Sequence, residues 1–464
     1  MSNFKDSLSI IDSGQNDKVD ESSAELLGKR TIRKASMRLI PIIVLCYCIA
    51  ILDRTNVGVA ALQMNHDLGL TASMFGFGAG IFFIMYFTLE VPSNLLMMRY
   101  GVRRWITRIM LTWGLVAAGM AFVKGPVGFY SMRALLGAAE AGFYPAMVFY
   151  LAQWFPSNYR SRVLGYLNVA GPLTFLIGAP ISGALLGIDG ALSMRGWQWM
   201  FLIEAVPALI LAGVVWLKLT DRPGTAGWLT DDERAWLTQR LEAEEAKVKT
   251  SVRQYTVLQA MVSPRILALG FVMFNVFLTV YSVGFFLPQI VKGFGLTNFQ
   301  SGAVSSIPFI AGSLSIVFFG WRSDVTQERY LHTAIPILLA ALGLAGAALT
   351  SDLNVKVIAL SIVAFGAYGC TPAFWTLPST FMSGAAMAGA IAVINSIGAL
   401  GGFVGLWVMG LLKDATGGFE SGLALVAAMD GIAVVTIIAL WLLKPPPAGI
   451  SDLGGSRQPA ETRS

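Results

Sequence analysis

Charge is scarce in this sequence. Lys, Arg, Asp and Glu make up 13% of 464 residues, about half of the roughly 25% usual in soluble domains. A soluble fold with so few charges could not cover its surface. Because 55% of the residues are apolar, the composition selects a polytopic membrane protein. There are three cysteines, Cys46, Cys48 and Cys370, all in apolar stretches, and two histidines, His66 and His332, far apart. A disulfide framework and a metal site are both excluded, because no Cys/His spacing fits one. No Gly-rich loop follows a strand, so no nucleotide site is expected, and no cofactor of any kind. No paired catalytic constellation is present, so an enzyme is not expected. The net charge of +6 is scattered rather than gathered in a stripe, which excludes a nucleic-acid partner. The N-terminus has no short apolar run ahead of a small-residue cleavage site, so the first span itself directs insertion.

The few charges are unevenly placed. Segments 1–37, 218–265 and 444–464 hold 32 of the 60. Two apolar blocks of near-equal length remain, and each resolves into six segments long enough to cross a bilayer. The expected spans are 38–62, 72–98, 103–123, 127–154, 160–187 and 198–218, then 265–291, 299–321, 330–350, 354–378, 384–412 and 421–443. They are too long and too uniformly apolar for barrel strands. Arg99, Arg103, Arg104 and Arg108 mark the 2–3 link, Arg160 and Arg162 the 4–5 link, and Arg322 and Arg329 the 8–9 link. By the positive-inside rule these links, both termini and the central linker are cytoplasmic. The expected organisation is a cytoplasmic tail (1–37), a six-helix bundle (38–218), a cytoplasmic linker (219–264), a second six-helix bundle (265–443) and a cytoplasmic tail (444–464). Within the linker, Thr230 ahead of Asp231-Asp232-Glu233 is a helix start, and an amphipathic helix over 230–248 tethers the halves.

An internal match supports duplication. Gly142-Phe143-Tyr144-Pro145-Ala146 in span 4 corresponds to Gly369-Cys370-Thr371-Pro372-Ala373 in span 10, six spans later, as a parallel repeat requires. In that register Arg133 aligns with Leu360 and Glu140 with Ala367. The span 4 charges therefore belong to one half and are not demanded by the fold's symmetry.

Asp53, Arg54, Arg133 and Glu140 fall well inside apolar spans. A charge at a helix centre costs about 2.5–3.5 kcal/mol, so four unpaired ones would cost on the order of 10–14 kcal/mol. They must face a wet cavity or one another. Arg133 and Glu140 are two turns apart and share one stripe of span 4. One reading is a set of structural ion pairs. The other is functional: Arg54 and Arg133 present permanently charged forks suited to carboxylates, while Asp53 and Glu140 can exchange protons. Tyr86 offers a hydroxyl to an anion or serves as an interface aromatic. Trp375 and Asn395 are the second-half candidates for substrate contact, against plain helix packing. Glu90 reads as structural, His332 as an exposed residue near the 8–9 link, and Asp430 has no assigned role.

Several stretches together carry a family resemblance: Leu52-Asp53-Arg54-Thr55-Asn56, Glu90-Val91-Pro92-Ser93-Asn94, Arg99-Tyr100-Gly101-Val102-Arg103-Arg104-Trp105, Arg133 to Glu140, Trp154-Phe155-Pro156, Gly196-Trp197-Gln198-Trp199, Ala373-Phe374-Trp375 and Asn395-Ser396-Ile397-Gly398. Over about residues 35–445 the chain resembles the anion:cation symporter family of the major facilitator superfamily, nearest its bacterial tartrate-transporter-like and hydroxyphenylacetate-permease-like members. The resemblance implies an all-α membrane fold of twelve transmembrane helices in two six-helix halves. It implies a functional monomer in the bacterial inner membrane, carrying a small organic anion with protons. The positions matching Arg54, Tyr86 and Asn395 would contact substrate, and those matching Asp53 and Glu140 would couple protons. The superfamily's 2–3 loop motif usually has Gly and Asp where this chain has Asn94 and Met98, so its latch would rely on other partners. Span 5 has Gly171-Pro172 without the following glycine pair of drug/proton antiporters, which favours symport. Tartrate or a related hydroxy or sugar acid is the expected substrate. Uptake of an aromatic acid, or export by the same architecture, is the alternative.

Overall fold

The computed structural model describes residues 3–251, 263–380 and 384–443. The tail expected over 444–464 lies outside the described residues. Among those described, twelve helices are long and apolar enough to cross a membrane and there is no strand. They are Glu25–Leu68, Ala72–Tyr100, Val102–Phe122, Gly125–Trp154, Ser157–Leu185, Gly196–Lys218, Pro264–Lys292, Asn298–Thr326, Leu331–Leu349, Leu353–Phe374, Gly389–Thr416 and Glu420–Leu442, spans 1 to 12 in order. Two six-helix halves are joined by a linker that contains the helix Asp231–Ser251.

Span 1 departs most from the expected bounds. Its first helix runs from Asn3 to Thr55, and the chain continues past Asn56 as Val57–Leu68. Apolarity sets where a helix enters lipid but not where it starts. The polar turns are held by a Glu25–Lys29 pair at 2.6 Å, four residues apart. The linker helix braces the same turns: Lys34 Nζ lies 2.8 Å from Glu233 Oε2. That helix begins with a reciprocal cap, in which the Glu233 N–H donates to Thr230 Oγ1 and the Thr230 N–H to Glu233 Oε2.

The repeated G-x-x-P-A segment marks a helix break in each half. Span 4 is two helices, Gly125–Glu140 and Phe143–Trp154, and Gly142 between them has φ +83°. That left-handed conformation is easily reached only by glycine. The interruption frees the Ala141 carbonyl, which accepts from Ser93 Oγ at 2.6 Å. Ser93 in turn accepts from Trp105 Nε1 at 3.0 Å. Span 10 likewise breaks at Cys370, between Leu353–Gly369 and Thr371–Phe374. A further echo is the start of spans 2 and 8, where Thr71 and Thr297 accept from the third backbone N–H that follows. His332, expected to be exposed, is 9% exposed at the start of span 9, with Nδ1 unpartnered among the described residues. The helix begins one residue earlier and packing covers the ring.

The halves meet closely at the end away from the linker, here the far end. Span 2 packs on span 11 and span 5 on span 8. Side-chain-free positions permit it: Gly76 lies against the Leu406 backbone, Gly410 against Ala72 and Gly183 against Asn298. Ring contacts between the halves run from this end to the level of Phe83 and Tyr281, whose centroids are 4.3 Å apart. Hydrogen bonds also join the halves at the far end, from the Ala72 and Ser73 backbone N–H groups to Asp414.

Candidate functional site

Spans 1, 2 and 4 bring four of the expected residues around one ring. Arg54 Nη2 donates to Glu140 Oε1 at 2.6 Å, and the side chains are 14% and 1% exposed. The guanidinium carbon of Arg54 lies 5.0 Å from the Phe82 ring centre and 5.1 Å from that of Tyr86. Arg133 approaches Phe82 at 5.1 Å. Its Nη2 donates to the Ala79 carbonyl at 3.2 Å, and the residue is 1% exposed. Each such cation–π contact contributes about 0.5–2 kcal/mol, the upper value when desolvated. Both arginines nonetheless keep a buried Nε–H with no partner among the described residues. Two guanidinium groups with unused donors, a carboxylate paired to one of them and a tyrosine beside them thus lie together inside the membrane-spanning bundle.

The four intramembrane charges do not form a single cluster. Glu140 pairs with Arg54, while Arg133, two turns away on the same helix, bonds a carbonyl. Asp53 turns away from its neighbour Arg54, because successive helical residues are about 100° apart. Its Oδ2 accepts from Trp113 Nε1 of span 3 at 2.6 Å, and its Oδ1 has no partner. Trp375 and Asn395 are half-buried in the second half. Trp375 packs edge-on to Phe374 at 5.5 Å. No hydrogen bond or ring contact joins either to the Arg54 group among the described residues. Asn395 lies two turns to the linker side of Gly402, and Tyr86 one turn to the linker side of Phe82, on the paired spans 11 and 2.

Two buried acids were not singled out as site residues. Glu204 in span 6 is 3% exposed, and the reasoning applied to Asp53, a lone acid inside an apolar span, would have found it. Asp430 in span 12 is 1% exposed and accepts from Thr279 Oγ1 at 2.8 Å. That bond is the partner its isolation in the sequence left open. Among the described residues there is no group of three or more His, Cys, Asp and Glu fit to hold a metal.

Comparison with known proteins agrees with this architecture. The family description "Major Facilitator Superfamily" matches residues 43–406. A protein of Agrobacterium vitis named "Putative tartrate transporter" is 45% identical over 94% of this chain and 99% of its own length. A "Quinolone resistance transporter" of Acinetobacter baumannii is 41% identical over 85% of this chain and 91% of its own. Among solved structures, a bacterial homolog of the human lysosomal transporter Spinster, inward-facing and occupied, superposes with a TM-score of 0.73 at 15% identity, covering 87% of this chain and 96% of that one. Twelve membrane helices, transporter relatives over nearly the whole length and the matched family identify a multi-pass secondary transporter, not an enzyme: this chain belongs to the Major Facilitator Superfamily.

Proposed function

We propose that the protein imports a small organic carboxylate together with protons, by alternating access, across the bacterial inner membrane. In this reading the linker and both termini are cytoplasmic, and the protein works as a monomer. The observation that carries it is the Arg54–Glu140 pair, flanked by Arg133 and Tyr86, with an unused N–H on each guanidinium. Ionised Glu140 occupies Arg54 and competes with an anionic substrate. A proton on Glu140 frees the Arg54 fork for a substrate carboxylate. Proton and anion binding thereby strengthen each other by the same factor. Arg133 supplies a second fork, so a dicarboxylate fits better than a monocarboxylate. Tartrate, or a related hydroxy or sugar acid, is the favoured substrate, supported by the name of the 45% identical relative. Asn395 and Trp375 would close on the substrate from the second half.

The 41% identical relative named for quinolone resistance favours a second reading, proton-driven export of an aromatic carboxylate. Proteoliposomes separate the two. Import requires that an inward proton gradient concentrates tartrate and that a protonophore abolishes the accumulation. Quinolone extrusion against a gradient, with no tartrate accumulation, would support export instead.

A further inference from the structure

Glu204 lies eight residues inside the far end of span 6. Its carboxyl group takes two hydrogen bonds, both from neutral donors: Ser182 Oγ of span 5 to Oε1 at 2.6 Å and Asn56 Nδ2 of span 1 to Oε2 at 2.8 Å. No cation pairs with it among the described residues. Asn56, which donates to Glu204, follows Asp53 by three residues in span 1. Asp53 is the titratable side chain facing Glu204 from span 1. Span 1 also contributes Gln63, and span 5 contributes Thr174 and Ser182, none of them charged. Glu204 and Asp53 are thus both buried with neutral hydrogen-bond donors, and among the described residues no arginine or lysine pairs with either.

A small cavity adjoins this pair. Thr55, Asn56, Thr174, Ser182 and Ser305 line its polar side, with Phe175 and Phe309 on the other. Asn56 Oδ1 and Ser305 Oγ are buried there without a partner. Three or more polar atoms around a space of water size make a water site. The cavity lies in the seam between spans 5 and 8, whose backbones touch at Gly183, Asn298 and Gly302. Those contacts help hold the two halves together at the far end.

We propose that Glu204 is a second proton-carrying group, loaded through the span 5–span 8 seam, and that it exchanges its proton with Asp53. This rests on the proton-coupled reading above and adds to it the route by which protons enter from the far side. Water in the opened seam gives a proton to the Glu204 carboxylate, forming an O–H bond and leaving the base in bulk solvent. The Ser182 hydrogen bond then reverses, with the acid donating to Ser182 Oγ. Transfer to Asp53 through water returns Glu204 to the carboxylate that Ser182 and Asn56 hold. Each half-cycle is charge-balanced by one proton.

The test uses full-length protein in lipid. Infrared spectra across a pH series report the C=O stretch of protonated carboxyl groups without any substrate. Glu204→Gln should remove one component of that band and shift another, that of Asp53. Ser182→Ala, which keeps the acid and is the milder change, should shift the Glu204 component. A carboxyl band identical to wild type in both variants overturns the proposal. In parallel, tartrate accumulation driven by a proton gradient should fall at least tenfold in Glu204→Gln, with its pH profile flattened, and Glu204→Asp should restore part of both. A wild-type pH profile in Glu204→Gln, beside a collapse in Glu140→Gln, overturns the Glu204 role and leaves proton coupling standing. Absence of proton-driven accumulation in the unmodified protein overturns the functional reading itself, while the infrared result still decides whether Glu204 carries a proton.

Discussion

Asp414, at the far end of span 11, receives the first backbone N–H groups of span 2: Ala72 to Oδ1 at 3.0 Å and Ser73 to Oδ2 at 2.8 Å. A carboxylate from one half therefore caps a helix of the other, at the end where the halves are closed. Asp414→Asn keeps one acceptor oxygen but removes the charge and the second acceptor. A hydrogen bond to a charged group contributes about 1.5–3 kcal/mol, and an anion at a helix N-terminus about 0.3–1 kcal/mol. Asp414 is exposed, so solvent screening favours the lower end. The far-end-closed form should lose about 1.4 kcal/mol, which is tenfold in the open population. Ser305 is buried in the seam that opens with that form. In a background with Cys46, Cys48 and Cys370 replaced, a Ser305→Cys reporter should react with a membrane-impermeant maleimide about ten times faster when Asp414→Asn is added. An unchanged labelling rate would show that the cap does not bias the equilibrium.

Arg54→Lys should reduce tartrate transport at least tenfold, nearly as far as Arg54→Ala, because Lys lacks the planar two-donor fork that a carboxylate matches; near-normal affinity of the Lys variant in uptake assays would count against bidentate capture. Ser93→Ala leaves the Ala141 carbonyl and the Trp105 indole N–H without their shared partner, and should lower stability by about 1–3 kcal/mol in a thermal unfolding measurement. Burial works against the charged form of Glu233, but the Lys34 hydrogen bond, the Thr230 N–H and Arg30 outweigh it and hold the carboxyl below the usual carboxylate range. A depressed value stabilises the docked linker at pH above the ordinary value of about 4.3, and that contribution is lost as pH falls through the lower folded value. Protease cleavage of the linker helix should therefore rise only once the pH falls below the ordinary carboxylate range, and Glu233→Gln should raise it at neutral pH.

The sequence revealed the spans because each is an uninterrupted apolar run, a property that needs no tertiary information. It revealed Arg54, Arg133 and Glu140 because charge inside such a run is costly enough to demand a reason. Which charge meets which was not legible, since it depends on helix rotation: Asp53 and Arg54 are adjacent, yet one meets Trp113 and the other Glu140. The span 4 break was hidden for a related reason. Gly142 and Pro145 were visible as a repeat, but the acceptance of the freed carbonyl by Ser93 requires span 2 to lie alongside. His332 looked exposed because link position says nothing of what packs over it. Glu204 was legible and passed over, since no motif drew attention to it.

The central claim is that Glu140 exchanges a proton for the Arg54 pair and so couples proton and anion movement. Glu140→Gln tests it most directly, in reconstituted protein with tartrate counterflow and pH-gradient-driven uptake measured side by side. The amide mimics the protonated acid at every pH, and is less costly in the bilayer than a carboxylate. The account predicts that the variant exchanges tartrate across the membrane but fails to concentrate it under a proton gradient. Accumulation equal to wild type would contradict the claim and move the coupling proton to another acid, Asp53 first.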